Sequence, residues 1–259
     1  MPDSDPWDPE QYERFREERS LPFHDLLGLV QGRAGLQVVD LGCGTGELTR
    51  ALHRRLKAAR TLGLDRSEAM LDKSRAFADP GLSFARGDAA EFRAETPFDL
   101  VFSNAALHWV PDHPRLLEHL TAALAPGGQL AIQLPANHDQ PSHRTAREVA
   151  REAPFVQALD GYSHPEAVLP VEGYARLLHE LGYVRQHVRL QVYSHLLPGR
   201  EAVCEWVKGT LLTVYRARLD PPLYVRFVER YCARLLPHLG EQRPFFFPFK
   251  RILLWGQRP

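Results

Sequence analysis

From residue 36 to residue 135, short apolar runs and helical periodicities take turns, and no other feature limits the fold as strongly. Leu36 to Leu41 is an apolar run that ends on a glycine cluster, which reads as a buried strand feeding a turn. Leu48, Ala51, Leu52 and Leu56 follow at helical spacing within 46–58. Further strands are expected at 60–65, 82–86, 98–103 and 129–134. One helix is expected after the cap residue Ser67, and another over 113–124, broken by Pro126-Gly127-Gly128. Such alternation builds an α/β fold: a parallel, Rossmann-like sheet with helices on both faces.

The second half has a different character. Helices are expected at 143–152 and 171–181, a strand at 183–197, a helical stretch over 199–239 interrupted at Pro221-Pro222, and a final strand at 245–256. A helical insert of that length is too long for a plain connection, so 199–243 is expected to cap the working edge of the sheet. The whole of 1–259 is read as a single domain, with a ligand-binding core at 36–135.

Composition excludes several classes. Lys and Arg number 32 against 32 Asp and Glu, so there is no basic excess of the kind that phosphate backbones require, and no nucleic acid partner is expected. A small anionic ligand needs only one or two local cations. Cys43, Cys204 and Cys232 are scattered and form no CxxC pair; no metal site and a reducing compartment are expected. The polar, acidic start lacks a signal-peptide pattern and no long apolar span occurs, so the expectation is a cytoplasmic protein with no membrane partner.

The richest stretch is Val38-Val39-Asp40-Leu41-Gly42-Cys43-Gly44-Thr45-Gly46-Glu47. A glycine turn after the first strand lies at the carboxyl edge, where open α/β sheets bind ligands. Dinucleotide enzymes favour G-x-G-x-x-G. Here the glycines stand at 42, 44 and 46, and Glu47 holds the place of the third dinucleotide glycine. A pyrophosphate would meet that carboxylate, whereas the ammonium of an amino-acid ligand would gain from Asp40. The pattern therefore favours S-adenosylmethionine over NAD. Gly42, Cys43 and Gly44 would let backbone approach it closely. Asp65, 21 residues beyond Gly44, ends the second strand, where a carboxylate can accept both ribose hydroxyls; Arg66 follows it. Asp88 and the Ala89 amide suit an adenine ring, the lesser alternative being a turn-forming Asp. Asn104, at the end of the fourth strand, would line the pocket near the methionine half.

Taken together these residues resemble the class I methyltransferases. The likeness sharpens in Trp7-Asp8-Pro9, in Phe98-Asp99-Leu100-Val101-Phe102-Ser103-Asn104-Ala105-Ala106-Leu107-His108-Trp109-Val110-Pro111-Asp112-His113 and in Gln133-Leu134-Pro135-Ala136-Asn137, which are similar to the trans-aconitate 2-methyltransferases. The resemblance implies a seven-stranded sheet whose last strand is antiparallel, with the cap inserted between the last two strands. It also implies an enzyme that esterifies a small carboxylic acid, yields S-adenosylhomocysteine and uses no metal. The segment 1–30 would cover the cofactor, Tyr12 and Phe15 facing the sulfonium and Arg19 the methionine carboxylate. The cap departs from the family pattern at Trp206-Val207-Lys208-Gly209-Thr210, where no Arg-Pro follows, and at Phe249-Lys250-Arg251; His108 stands where Gln is expected.

A carboxylate is ionised at neutral pH and needs no general base. Alignment is then the main demand, and the acceptor's other carboxylates must be held. Arg216, Arg218, Lys208 and Arg251 are candidate cations, Tyr215 a candidate donor, and His108 and His138 weaker candidate contacts. No catalytic group is certain. Three alternatives stay open: a methyltransferase for an amine or hydroxyl, with His108 as base; a non-catalytic S-adenosylmethionine-binding protein; and an NAD(P)-dependent oxidoreductase.

Overall fold

The computed structural model describes residues 16–163 and 167–259, the side chains of 16–19 excepted. In chain order the elements are α1 (Arg16–Leu27), β1 (Gln37–Leu41), α2 (Glu47–Leu56), β2 (Arg60–Asp65), α3 (Glu68–Ser74), β3 (Leu82–Arg86), β4 (Phe98–Asn104), α4 (His113–Ala122) and β5 (Leu124–Pro135). They continue with α5 (Pro141–Ala150), α6 (Phe155–Ala158), α7 (Val171–Glu180), β6 (Arg185–Leu197), α8 (Glu201–Lys208), α9 (Thr213–Arg216), α10 (Pro221–Leu235) and β7 (Phe245–Gln257). Among the described residues the strands form one seven-stranded sheet in the order β3-β2-β1-β4-β5-β7-β6. β1 to β5 pair in parallel, and β7 lies antiparallel to β5, as expected. Among the described residues no helix is long and apolar enough to cross a membrane.

The chain groups into two compact units. Among the described residues, a sheet unit contains Glu17–Ala136, Ala167–Gln191 and Lys250–Pro259; a helical unit contains 137–163 and Val192–Phe249. In the sheet unit, alternate residues of the central strands (Val39, Leu41, Val101, Leu130, Ile132, Leu134, Ile252 and Leu254) pack against Leu116, Leu117 and Leu120 of α4 and Tyr174 and Leu178 of α7. Period-two alternation thus gives that face mainly to apolar packing. On the opposite face Phe102 meets Phe23 of α1 edge to face at 5.5 Å.

In the helical unit, α5, α8 and α10 enclose Trp206, Tyr215, Phe227 and Tyr231 together with Phe247 and Phe249. Glu152, just beyond α5, holds Arg230 and Arg234 of α10 at 2.6 and 3.0 Å.

Two boundaries differ from expectation. The helix expected over 113–124 stops at Ala122, because Leu124 already pairs with Phe98. Pro126, which has no N–H to donate, falls within β5, and the ladder shifts register before Gln129 pairs with Leu100. Pro221 and Pro222 do not interrupt a helix but begin one. Proline suits a first turn, whose N–H groups lack helical partners, and the Asp220 side chain accepts from the Leu223 N–H at 2.8 Å. Asp220→Ala is therefore expected to lower unfolding stability by about 1 kcal/mol in urea denaturation, the worth of an N-cap.

Candidate active site

The turn between β1 and α2 is shaped by contact with its neighbours. Gly42 has φ +77, and a Cβ there would stand 2.1 Å from the Ala106 Cβ. Its N–H and that of Cys43 both donate to the Leu64 carbonyl, at 2.7 and 3.0 Å, which fastens the turn to the end of β2. Gly44 also has positive φ, +56, but a Cβ there would meet nothing within 4 Å. One glycine is thus demanded by packing and the other only by backbone conformation, with open space above it. Cys43 points inward and is buried; burial, with Asp40 and Asp65 near, pushes its thiol pKa up.

Asp65 joins the turn to the next element. Its Oδ2 accepts from the Gly44 N–H and its Oδ1 from the Ser67 N–H, each at 2.9 Å. Ser67 in turn caps α3, its Oγ accepting from the Met70 N–H at 3.2 Å. Asp40 lies deeper, only 4% exposed, and accepts from the Thr49 hydroxyl at 2.6 Å. Burial pushes its carboxyl pKa up to about 7; the Thr49 bond opposes that rise, and the nearby Asp65 charge adds to it.

At the end of β4 the chain turns sharply. Ala105 has φ +56, a conformation that a β-carbon disfavours, and its N–H donates to the Gln133 carbonyl at 3.0 Å. The buried Asn104 Oδ1 has no hydrogen-bond partner among the described residues. In the register of the sheet Asn104 pairs with Gln133, and Arg251 of β7 donates to the Gln133 Oε1 at 3.3 Å. Arg251 is 4% exposed. Asp88, in contrast, is exposed and closes a local turn by accepting from the Ala90 N–H at 2.8 Å; Ala89 is half-buried and Arg66 exposed. His108 lies in the short 3-10 helix after β4, its ring 4.5 Å from that of Trp109.

The structure thus brings together Gly42, Cys43, Gly44 and Asp65, sets Asp40 beneath Thr49, and aligns Asn104 with Arg251 through Gln133. The expectations at Tyr12 and Phe15, and that for the Arg19 side chain, lie outside the described residues. The remaining candidates belong to the helical unit. Tyr215 is fully buried and stacked on Phe227 at 4.8 Å, within the aromatic core. Arg216 is exposed. Arg218 lies 3.8 Å over the Tyr162 ring, and Lys208 pairs with Glu205 at 2.6 Å. The His138 carbonyl accepts from Arg147 at 2.9 Å. Sequence reasoning passed over Gln133. The available signal was a lone polar side chain inside the apolar run Leu130-Ala131-Ile132-Gln133-Leu134.

The chain is similar to known proteins. A family described as methyltransferase domain matches residues 38–128. The trans-aconitate 2-methyltransferase of Deinococcus radiodurans is 44% identical, with 98% of each chain covered. This chain belongs to that family. It is an S-adenosylmethionine-dependent methyltransferase. Members from Streptomyces avermitilis and Methylobacterium nodulans are 41% and 39% identical, over 95% and 97% of this chain and 94% and 98% of theirs. The fold is shared more widely. The YcgJ protein of Bacillus subtilis superposes with a TM-score of 0.60 at 13% identity, covering 92% of this chain and 98% of its own. A Haemonchus contortus phosphoethanolamine N-methyltransferase, solved with S-adenosyl-L-methionine, does so at 0.56 and 16% identity, over 93% and 52%.

The two glycines of the family turn should respond differently to a methyl group. Gly42→Ala forces the new Cβ into Ala106 as well as into a disfavoured φ, and is expected to cost about 2–4 kcal/mol of unfolding free energy. Gly44→Ala meets no atom and should cost about 1–2 kcal/mol, the conformational strain alone. Denaturant unfolding of both variants measures the difference.

Proposed function

We propose that this chain methylates a carboxylate of a small polycarboxylic acid, trans-aconitate first among them. What carries the reading is the 44% identity over 98% of both chains to a relative named for that reaction. S-adenosylmethionine, when bound, supplies an electrophilic sulfonium methyl. The buried, unpartnered Asn104 Oδ1 and the open space above Gly44 support a ligand at this edge of the sheet.

Gly42, Cys43 and Gly44 would present backbone to the amino-acid half, with Asp40 the negative charge nearest its ammonium. Asp65, oriented by the Gly44 and Ser67 N–H groups, would hold the ribose hydroxyls, beside Arg66. Asp88 and the Ala89 amide would meet the adenine, and Asn104 the methionine end. Tyr12, Phe15 and Arg19 would cover the sulfonium and the methionine carboxylate, as the family resemblance implies.

The methyl acceptor's carboxylate is its own nucleophile, so this chain's residues need only align it, hold its other charges and keep water away. Arg251 is the cation in the sheet unit best suited to that role, because it lies buried beside Gln133 near the carboxyl end of β5 and a guanidinium fork matches a carboxylate. Arg216, Lys208 and Arg218 of the helical unit, with Tyr215, His108 and His138 as further contacts, complete the candidate set. Neither a metal nor a nucleic acid takes part, and the three free cysteines suit the cytoplasm.

Methyl transfer from labelled cofactor to a panel of tri- and dicarboxylates, amines and phenols tests the reading. Turnover of an acid is expected, with kcat flat from about pH 6 to 9, since no base must ionise. Both substrates must be saturating, because Asp40, pushed up to about 7, titrates in the free chain within that range. Turnover of amines or phenols alone, with a histidine-like inflection lost in His108→Asn, contradicts the acid assignment.

A further inference from the structure

Two glutamines of β5 lie on the same face of the sheet four residues apart, and they are treated very differently. Gln129 is fully engaged: its Oε1 accepts from the Gln31 N–H at 2.8 Å and from the Trp255 indole N–H at 2.9 Å, and its Nε2 donates to the Gln31 carbonyl at 2.8 Å. Gln133 is 0% exposed, accepts from Arg251 through Oε1, and has no partner for Nε2 among the described residues. A buried amide donor left unsatisfied is destabilising.

The orientation of this amide follows from its partner. A guanidinium only donates, so the Gln133 oxygen must face Arg251, and the NH2 group must point away from it. The free donor sits at the carboxyl end of β5, in register with Asn104, where open α/β sheets take their ligands. What completes it must be a hydrogen-bond acceptor. A carboxylate offers such acceptor lone pairs, and an ammonium offers none.

We propose, on the carboxylic-acid reading above, that Gln133 binds the methyl acceptor: Nε2 donates to a carboxylate oxygen, and Arg251 sets the direction of the amide. A neutral donor has a chemical advantage over a second cation at this place. It fixes a carboxylate oxygen without withdrawing as much of the charge that makes a carboxylate nucleophilic. Gln133 is then a specificity-determining residue, since an amine in its place would bring a donor to a donor.

Calorimetric titration of the S-adenosylhomocysteine-loaded chain with trans-aconitate reads acceptor binding without turnover. In Gln133→Met, which keeps the bulk and removes the donors, the Kd of the acid rises about tenfold, the scale of one hydrogen bond to a charged group. In Gln133→Glu, which keeps an oxygen towards Arg251 and sets a carboxylate against the acid, the Kd rises about a hundredfold. S-adenosylhomocysteine affinity stays within about twofold in both, and in turnover KM rises while kcat stays within about threefold. Unchanged acid affinity in either folded variant overturns the assignment, whatever happens to Tm. A loss confined to S-adenosylhomocysteine overturns it too, by placing Gln133 on the cofactor. Absence of trans-aconitate binding to the wild-type chain removes the acid reading itself, and the assignment with it.

Discussion

One carboxylate organises the carboxyl edge of this sheet. Asp65 accepts from the Gly44 and Ser67 N–H groups, one on each oxygen, and so locks the turn after β1 to the start of α3. Gly42 and Cys43, which donate to the Leu64 carbonyl, make the same junction from the other side. The turn could not close on β2 with a side chain at 42, because Ala106 occupies that space. Backbone amides, an oriented carboxylate and a glycine at 44 are thus fixed before any ligand arrives. Preorganisation of that kind lowers the cost of binding.

The two faces of the sheet carry different burdens. One is mainly apolar and holds α4 and α7. The other carries Asp40, Asn104, Gln129, Gln133 and Arg251 among its apolar residues, buried polar groups of which some are satisfied internally and some are not. Buried polar atoms without partners weaken a fold, and at the binding edge of an α/β sheet a ligand is the natural complement. The positive φ of Ala105 adds strain at the same edge.

Much of this was legible in the sequence because local signals agreed with the global fold. The apolar runs placed β1 to β4 within a residue or so, Ser67 caps α3 as its residue type suggested, and the glycine spacing located the turn. Where signals were ambiguous the reading slipped. Pro221-Pro222 is a helix breaker by composition, and only the Asp220 that precedes it tells start from stop. Leu124 fits a helical periodicity but pairs as a strand across an irregularity that periodicity cannot show. Tyr215 reads as a polar-tipped residue on a helix, while Leu211, Leu212 and Leu219 around it mark it as part of a core. Gln133 was passed over because a strand buried on both faces gives no alternation, and one polar residue in the apolar run was the whole of its signal.

The central claim is that the turn from Leu41 to Glu47 and the Asp65 carboxylate form the cofactor's seat. Calorimetric binding of S-adenosylhomocysteine to wild type and to Asp65→Ala, with folding checked by thermal unfolding, tests it most directly. The account predicts a loss of about 1.5–3 kcal/mol, the scale of charge-assisted hydrogen bonds. An equal affinity in the two folded proteins would contradict it.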